Sequence, residues 1–141
     1  MKKLVALGVL AACVALACFL LLGQRAPQTA AEQLEAARVA LQDNDYARVK
    51  ELAGQVVLRE PKNGQAWYLR AQAQCMLADT DGALVSLEQA MHNGVRDFNA
   101  FAANHNLDPA RATPQYQWLL QRYRADAAAG TASVEALPVK P

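Results

Sequence analysis

Residues 63–94 read NGQAWYLRAQAQCMLADTDGALVSLEQAMHNG, and this stretch decides the fold. Asn63 is placed to cap a helix, because its side-chain oxygen can accept from an otherwise orphaned amide of the first turn. The helix it opens runs from Gln65 to Leu77. Ala78-Asp79-Thr80 then turns the chain. Beyond the turn Ala83, Leu84, Leu87, Ala90 and Met91 recur at three- and four-residue intervals, the spacing of one helical face, and Asn93-Gly94 ends that helix. The product is a helix-turn-helix hairpin.

The segment before it has the same layout. Thr29-Ala30-Ala31-Glu32 has the spacing of a capping box, in which hydroxyl and carboxylate each satisfy a backbone amide at the helix start. Leu34, Ala37, Val39, Ala40 and Leu41 continue from there. Asp43-Asn44-Asp45 stops the helix by offering the backbone competing local hydrogen bonds. A second helix, Tyr46 to Arg59, carries Val49, Leu52, Ala53, Val56 and Val57 on one face and ends at Glu60-Pro61-Lys62-Asn63-Gly64. A shift of 34 residues sets Ala37 on Ala71, Asp45 on Asp79 and Gln55 on Gln89, and pairs Val49 with Ala83, Ala53 with Leu87 and Val56 with Ala90. Turn residues fall on turn residues, and small apolar residues on small apolar ones.

Ala66-Trp67-Tyr68-Leu69, then Ala71, Ala78-Asp79-Thr80-Asp81, Ala83, Leu87 and Ala90, resemble a tetratricopeptide repeat, whose period is also 34. Residues 30–63 resemble a weaker copy that carries Gln33 where the second has Trp67. The resemblance implies an all-α fold of two hairpins, 30–63 and 64–97, closed by a segment 98–125. It makes Trp67 a filler between helices. It also places a partner-binding groove along the first helix of each pair, with Leu34, Arg38 and Leu41 beside Gln65, Tyr68, Gln72 and Cys75. Leu34 and Tyr68 stand where members that clamp a terminal carboxylate carry Lys or another polar donor, which speaks against that mode and leaves Arg38 as the cation of the groove. A third copy is ruled out by Asp108-Pro109, since Pro interrupts a helix. Thr113-Pro114 opens one last helix, with Tyr116, Leu119, Leu120 and Tyr123 on its apolar face, ending near Ala125. Residues 126–141 show no apolar period and read as a disordered tail.

The amino end is of another kind. Leu4 to Leu22 is an uncharged apolar run of 19 residues, preceded by Lys2 and Lys3. At 1.5 Å per residue it reaches roughly 28 Å, enough for a transmembrane helix and longer than the core of an ordinary secretory signal. It reads as an uncleaved anchor, with residues 1–3 cytoplasmic by the positive-inside rule and 23–29 a linker. Two alternatives stand beside the anchor: cleavage near Ala30, and acylation of Cys13 after the lipobox-like Leu10-Ala11-Ala12. All three export the helical domain.

The 141 residues are 53% hydrophobic and 6% aromatic, and carry 14 basic against 13 acidic side chains. So few rings favour helices over sheets. A net charge of +1 without a basic cluster gives no footprint for nucleic acid. Cys13, Cys18 and Cys75 have neither disulfide nor zinc spacing, His92 and His105 pair with no second ligand, and no phosphate loop occurs. No metal, cofactor or catalytic constellation is expected.

The expected function is that of a bacterial inner-membrane scaffold whose periplasmic repeats recruit a protein in assembly of an envelope complex of the secretion, pilus or cytochrome-maturation kind. Its rivals are a lipoprotein acylated at Cys13 that acts in pilus or outer-membrane biogenesis, and an enzyme whose site is shared between subunits. Two repeats bury little surface, so the domain is expected to gain stability by homo- or hetero-oligomeric association.

Overall fold

The computed structural model describes residues 29–135, and all its regular elements are helical. In chain order they are α1 (Ala30–Gln42), α2 (Tyr46–Arg59), α3 (Gly64–Met76), α4 (Thr80–His92), α5 (Phe98–Ala103), a 3-10 turn (His105–Leu107), α6 (Asp108–Arg111) and α7 (Pro114–Glu135). The apolar run 4–22, with Cys13, Cys18 and the anchor assigned to it, lies outside the described residues, as do 136–141. Among the described residues no helix is long and apolar enough to cross a membrane.

Local chemistry sets the helix starts. Thr29 and Glu32 form the reciprocal box, with the Thr29 amide donating to the carboxylate at 2.8 Å and the Glu32 amide to the hydroxyl at 3.2 Å. Asp45, Asn63 and Asp79 cap α2, α3 and α4 in the same sense, each accepting from the amide three residues on. The turns repeat too. Asn44 and Ala78 both stand in the left-handed region, at φ 59° and 60°. After each of them an Asp amide donates back into the preceding helix at 2.9 Å, Asp45 to the Ala40 carbonyl and Asp79 to that of Gln74. These bonds satisfy carbonyls that the helix end would otherwise orphan.

Packing follows from this layout. α1 packs against α2, α2 against α3 and α3 against α4, and α3 is buried on two sides. Ala66, Leu69 and Ala73 join a core with Leu34, Ala37, Val49, Leu52, Ala53 and Val56. Ala71 and Cys75 join a second core with Leu87, Met91, Phe101, Leu107, Tyr116 and Tyr123. α3 is therefore the shared wall of both cores. At its start Gly64 permits a close approach: a β-carbon there would meet the Asn93 carbonyl oxygen at 2.8 Å.

The last helix departs from expectation. The apolar period predicts an end at Ala125 with a disordered tail from 126, yet α7 runs on to Glu135. The run Ala125-Asp126-Ala127-Ala128-Ala129 shows why, since alanine has the highest helix propensity and needs no apolar stripe to extend a helix already anchored.

Gly54 lies inside α2, and a β-carbon there would meet nothing within 4 Å. Gly54→Ala is thus expected to stabilise the chain by about 0.5–1 kcal/mol. Thermal unfolding followed by circular dichroism checks this, and a lowered melting temperature would contradict it.

Candidate functional site

The residues expected to line the groove have unequal surroundings. On α1, Leu34 is 8% exposed and belongs to the core, Leu41 is half-buried, and Arg38 is exposed with its guanidinium 3.1 Å from Glu35. On α3, Gln65 is exposed and Tyr68 half-buried, while Gln72 and Cys75 are buried, at 4% and 2%. The groove expected along α3 is thus not open over its second half. The chain's own closing segment lies on it.

That cover is specific. Asn104 Nδ2 donates to Tyr68 Oη at 2.8 Å, and Asn106 Nδ2 to Gln72 Oε1 at 3.4 Å. Beside these bonds, Leu107 and Ala110 are fully buried in the same core as Cys75. Phe101 lies 5.1 Å from the Tyr68 ring and 6.0 Å from Phe98. Arg111 ties the segment down by donating to the carbonyls of Phe101 at 3.2 Å and Asn104 at 2.8 Å. One buried side-chain polar atom of the cover, Arg111 Nε, is left without a partner; the other buried groups named here are paired, as a stable cover requires.

Burial also settles what two of these side chains can do. Desolvation raises the Tyr68 phenol above its ordinary value, against the hydrogen bond from Asn104, which lowers it. Desolvation likewise raises the Cys75 thiol. Cys75 therefore stays protonated at neutral pH and is a poor nucleophile. Trp67 packs on the first core and its Nε1 donates to the Pro61 carbonyl at 2.8 Å. Among the described residues no group of three or more His, Cys, Asp or Glu side chains is placed to hold a metal ion.

Two hollows lie away from this face. One, of about 470 Å³, follows the outer side of α2 past Ala47, Lys50, Gly54 and Leu58 to Arg70. The other, of about 150 Å³, lies between α4 and α7, with Val85 and Trp118 more than half exposed at its mouth. Val85 and Trp118 fall outside the apolar rows of their helices, so a search for rows passes over them, yet a large apolar residue off the row is itself the signal of an exposed patch.

No protein-family model matches the chain, and no curated protein or solved structure matches it.

Proposed function

We propose that the chain is a membrane-anchored scaffold of the tetratricopeptide-repeat kind, which holds a polypeptide partner on the face of α1 and the first turns of α3. The observation that carries this reading is a period in the structure itself. α1 and α3 begin 34 residues apart, as do α2 and α4, their caps, and the left-handed residues Asn44 and Ala78. Stacked hairpins of one period leave the first helix of each pair along a common face, the usual docking surface of such arrays.

The contact residues on this reading are Arg38 and Gln65, with Leu41 and Tyr68 at their side. Arg38 supplies charge for a partner carboxylate, in exchange for its exposed pairing with Glu35, which is worth little. Export of the domain rests on the length of the apolar run 4–22 and on the charges of Lys2 and Lys3.

A photocrosslinking side chain placed at Arg38 or Gln65 of the full chain in membranes is expected to capture the same polypeptide. One placed at Leu58, on the outer side of α2, is expected not to. Arg38→Ala should weaken capture at Gln65 about tenfold, the worth of one charge-assisted hydrogen bond. Equal capture from all three positions, or none from the first two, would sink the proposal.

A further inference from the structure

The cleft between α4 and α7 has a regular construction. Val85 faces Trp118 on one rung, and on the next Glu88 pairs with Arg122 at 3.5 Å, so the two helices run in the same direction here. Leu84 and Leu119 form the floor and are nearly buried, whereas Val85 is 59% and Trp118 56% exposed. The Arg122 guanidinium lies 5.3 Å from the centre of the Trp118 ring and holds its face. One turn before Val85 on the same face of α4 is Asp81, and one turn before Trp118 on α7 is Gln115; both are exposed.

The cleft opens to solvent, and an indole and a valine stand together at its mouth, the kind of large apolar pair that marks a docking surface when a chain leaves it exposed. We propose that a second copy of this chain covers it, forming a two-fold dimer through the α4–α7 cleft. The charges commit the patch to that occupant. A two-fold axis lying in this face, between the two helices and along them, sets α4 of each copy on α7 of the other and keeps every rung at its own level. Each Trp118 then lies on the other copy's Val85, each Arg122 meets the other copy's Glu88, and Asp81 meets Gln115. Each copy thus brings one cation and one anion to the very places where the other has the complement, and the two intrachain pairs merge into a ring of four alternating charges. A strongly acidic or basic partner would meet the wrong sign at one of them. An isologous pairing also closes on itself and leaves no patch free to propagate a fibre.

Sedimentation velocity of the full 141-residue chain in density-matched detergent is expected to show a dimer at roughly 100 μM. Trp118→Ala removes an exposed side chain, so it keeps the helical circular dichroism, and it should raise the dimer dissociation constant at least about tenfold, as loss of a central aromatic does. Charge exchange separates this interface from any effect on folding. Glu88→Arg sets a second guanidinium against Arg122 of the other copy, and Arg122→Glu sets a second carboxylate against Glu88, so each variant alone should be monomeric. In an equimolar mixture the two variants present opposite charges at both places and should dimerise with each other. A monomeric parent chain, a Trp118→Ala variant that associates as well as the parent, or a mixture that stays monomeric would overturn the proposal. So would a monomer whose tryptophan emission shifts only on adding lipid vesicles, with the shift lost in Trp118→Ala, which would assign the cleft to a membrane surface.

Discussion

Phe101→Ala is expected to cost about 4 kcal/mol, a large share of the roughly 5–15 kcal/mol that holds a domain together. Phe101 is fully buried, and it is the buried residue of α5, a helix of six residues whose other apolar hold on the core is the half-buried Phe98. So short a helix does not persist on local bonds. Its ring meets Tyr68 and Phe98, and its carbonyl accepts from Tyr116 Oη and Arg111 Nη2, each at 3.2 Å. Removing the ring leaves a cavity at the junction of α3, α5 and α7 and frees the segment that covers Gln72 and Cys75. Two readouts follow. The melting temperature of the full chain in detergent should fall by roughly 20 °C, and alkylation of Cys75, followed by peptide mass spectrometry, should accelerate well below that temperature. Phe101→Leu, which keeps most of the volume, should cost only about 1 kcal/mol and leave the thiol protected. A Phe101→Ala chain that melts within a few degrees of the parent with Cys75 still protected would show that the cover does not depend on this ring.

Why that cover was not legible in the sequence is a matter of range. Two helix starts were legible because the bonds that make them are local, Thr29 with Glu32 and the Asn63 cap with Ala66, each over three residues; 43–45 and 78–80 were legible as turns, and within them Asp45 and Asp79 cap the next helices over the same distance. The apolar faces were legible through their period, and Tyr116, Leu119, Leu120 and Tyr123, assigned to one row, are all buried. The bonds that seat the closing segment on α3 span 34 and 36 residues, and its apolar members Phe98, Phe101 and Leu107 follow no helical spacing over their whole length. Nothing local says which surface they will meet. Residues such as Gln72 and Cys75, read as walls of a groove, are therefore the ones whose surroundings the sequence left open. The resemblance gave them a face, and a contact made some 35 residues away decides whether that face is open.

Asp79→Ala is expected to cost about 2–4 kcal/mol, from two losses that one carboxylate prevents. Its Oδ1 caps α4 by accepting from the Gly82 amide at 3.1 Å, and its Oδ2 accepts from Gln74 Nε2 at 2.9 Å. Gln74 in turn accepts from the Ser86 hydroxyl at 2.5 Å, with both side chains buried, at 3% and 2%. At the matching places in the first hairpin stand Ala40 and Leu52, so the second hairpin has exchanged an apolar pair for a polar one that needs Asp79 to complete it. Without the carboxylate the Gln74 amide is left buried with no acceptor, and α4 loses its cap. The hydrogen bonds from Gln74 and Gly82, with Lys50 nearby, hold the Asp79 carboxyl below its ordinary value of 3.8. A group depressed in the fold stabilises it above the unfolded value, and that stabilisation disappears as pH falls through the folded one. The Asp79 contribution should accordingly be constant above about pH 5 and fall away progressively below pH 4. Asp79→Asn keeps the cap through its carbonyl oxygen, and its amide can donate to a Gln74 side chain turned end for end, with Ser86 then accepting. It should therefore cost less than half as much as Asp79→Ala at neutral pH. The gap between it and the parent should close in acid, because there the parent carboxyl is also neutral. Melting temperatures of the three chains between pH 3 and pH 7 test both halves. An Asp79→Ala chain as stable as the parent at pH 7, or a gap to Asp79→Asn that stays constant down to pH 3, would mean that the carboxylate does not complete the buried Gln74–Ser86 pair.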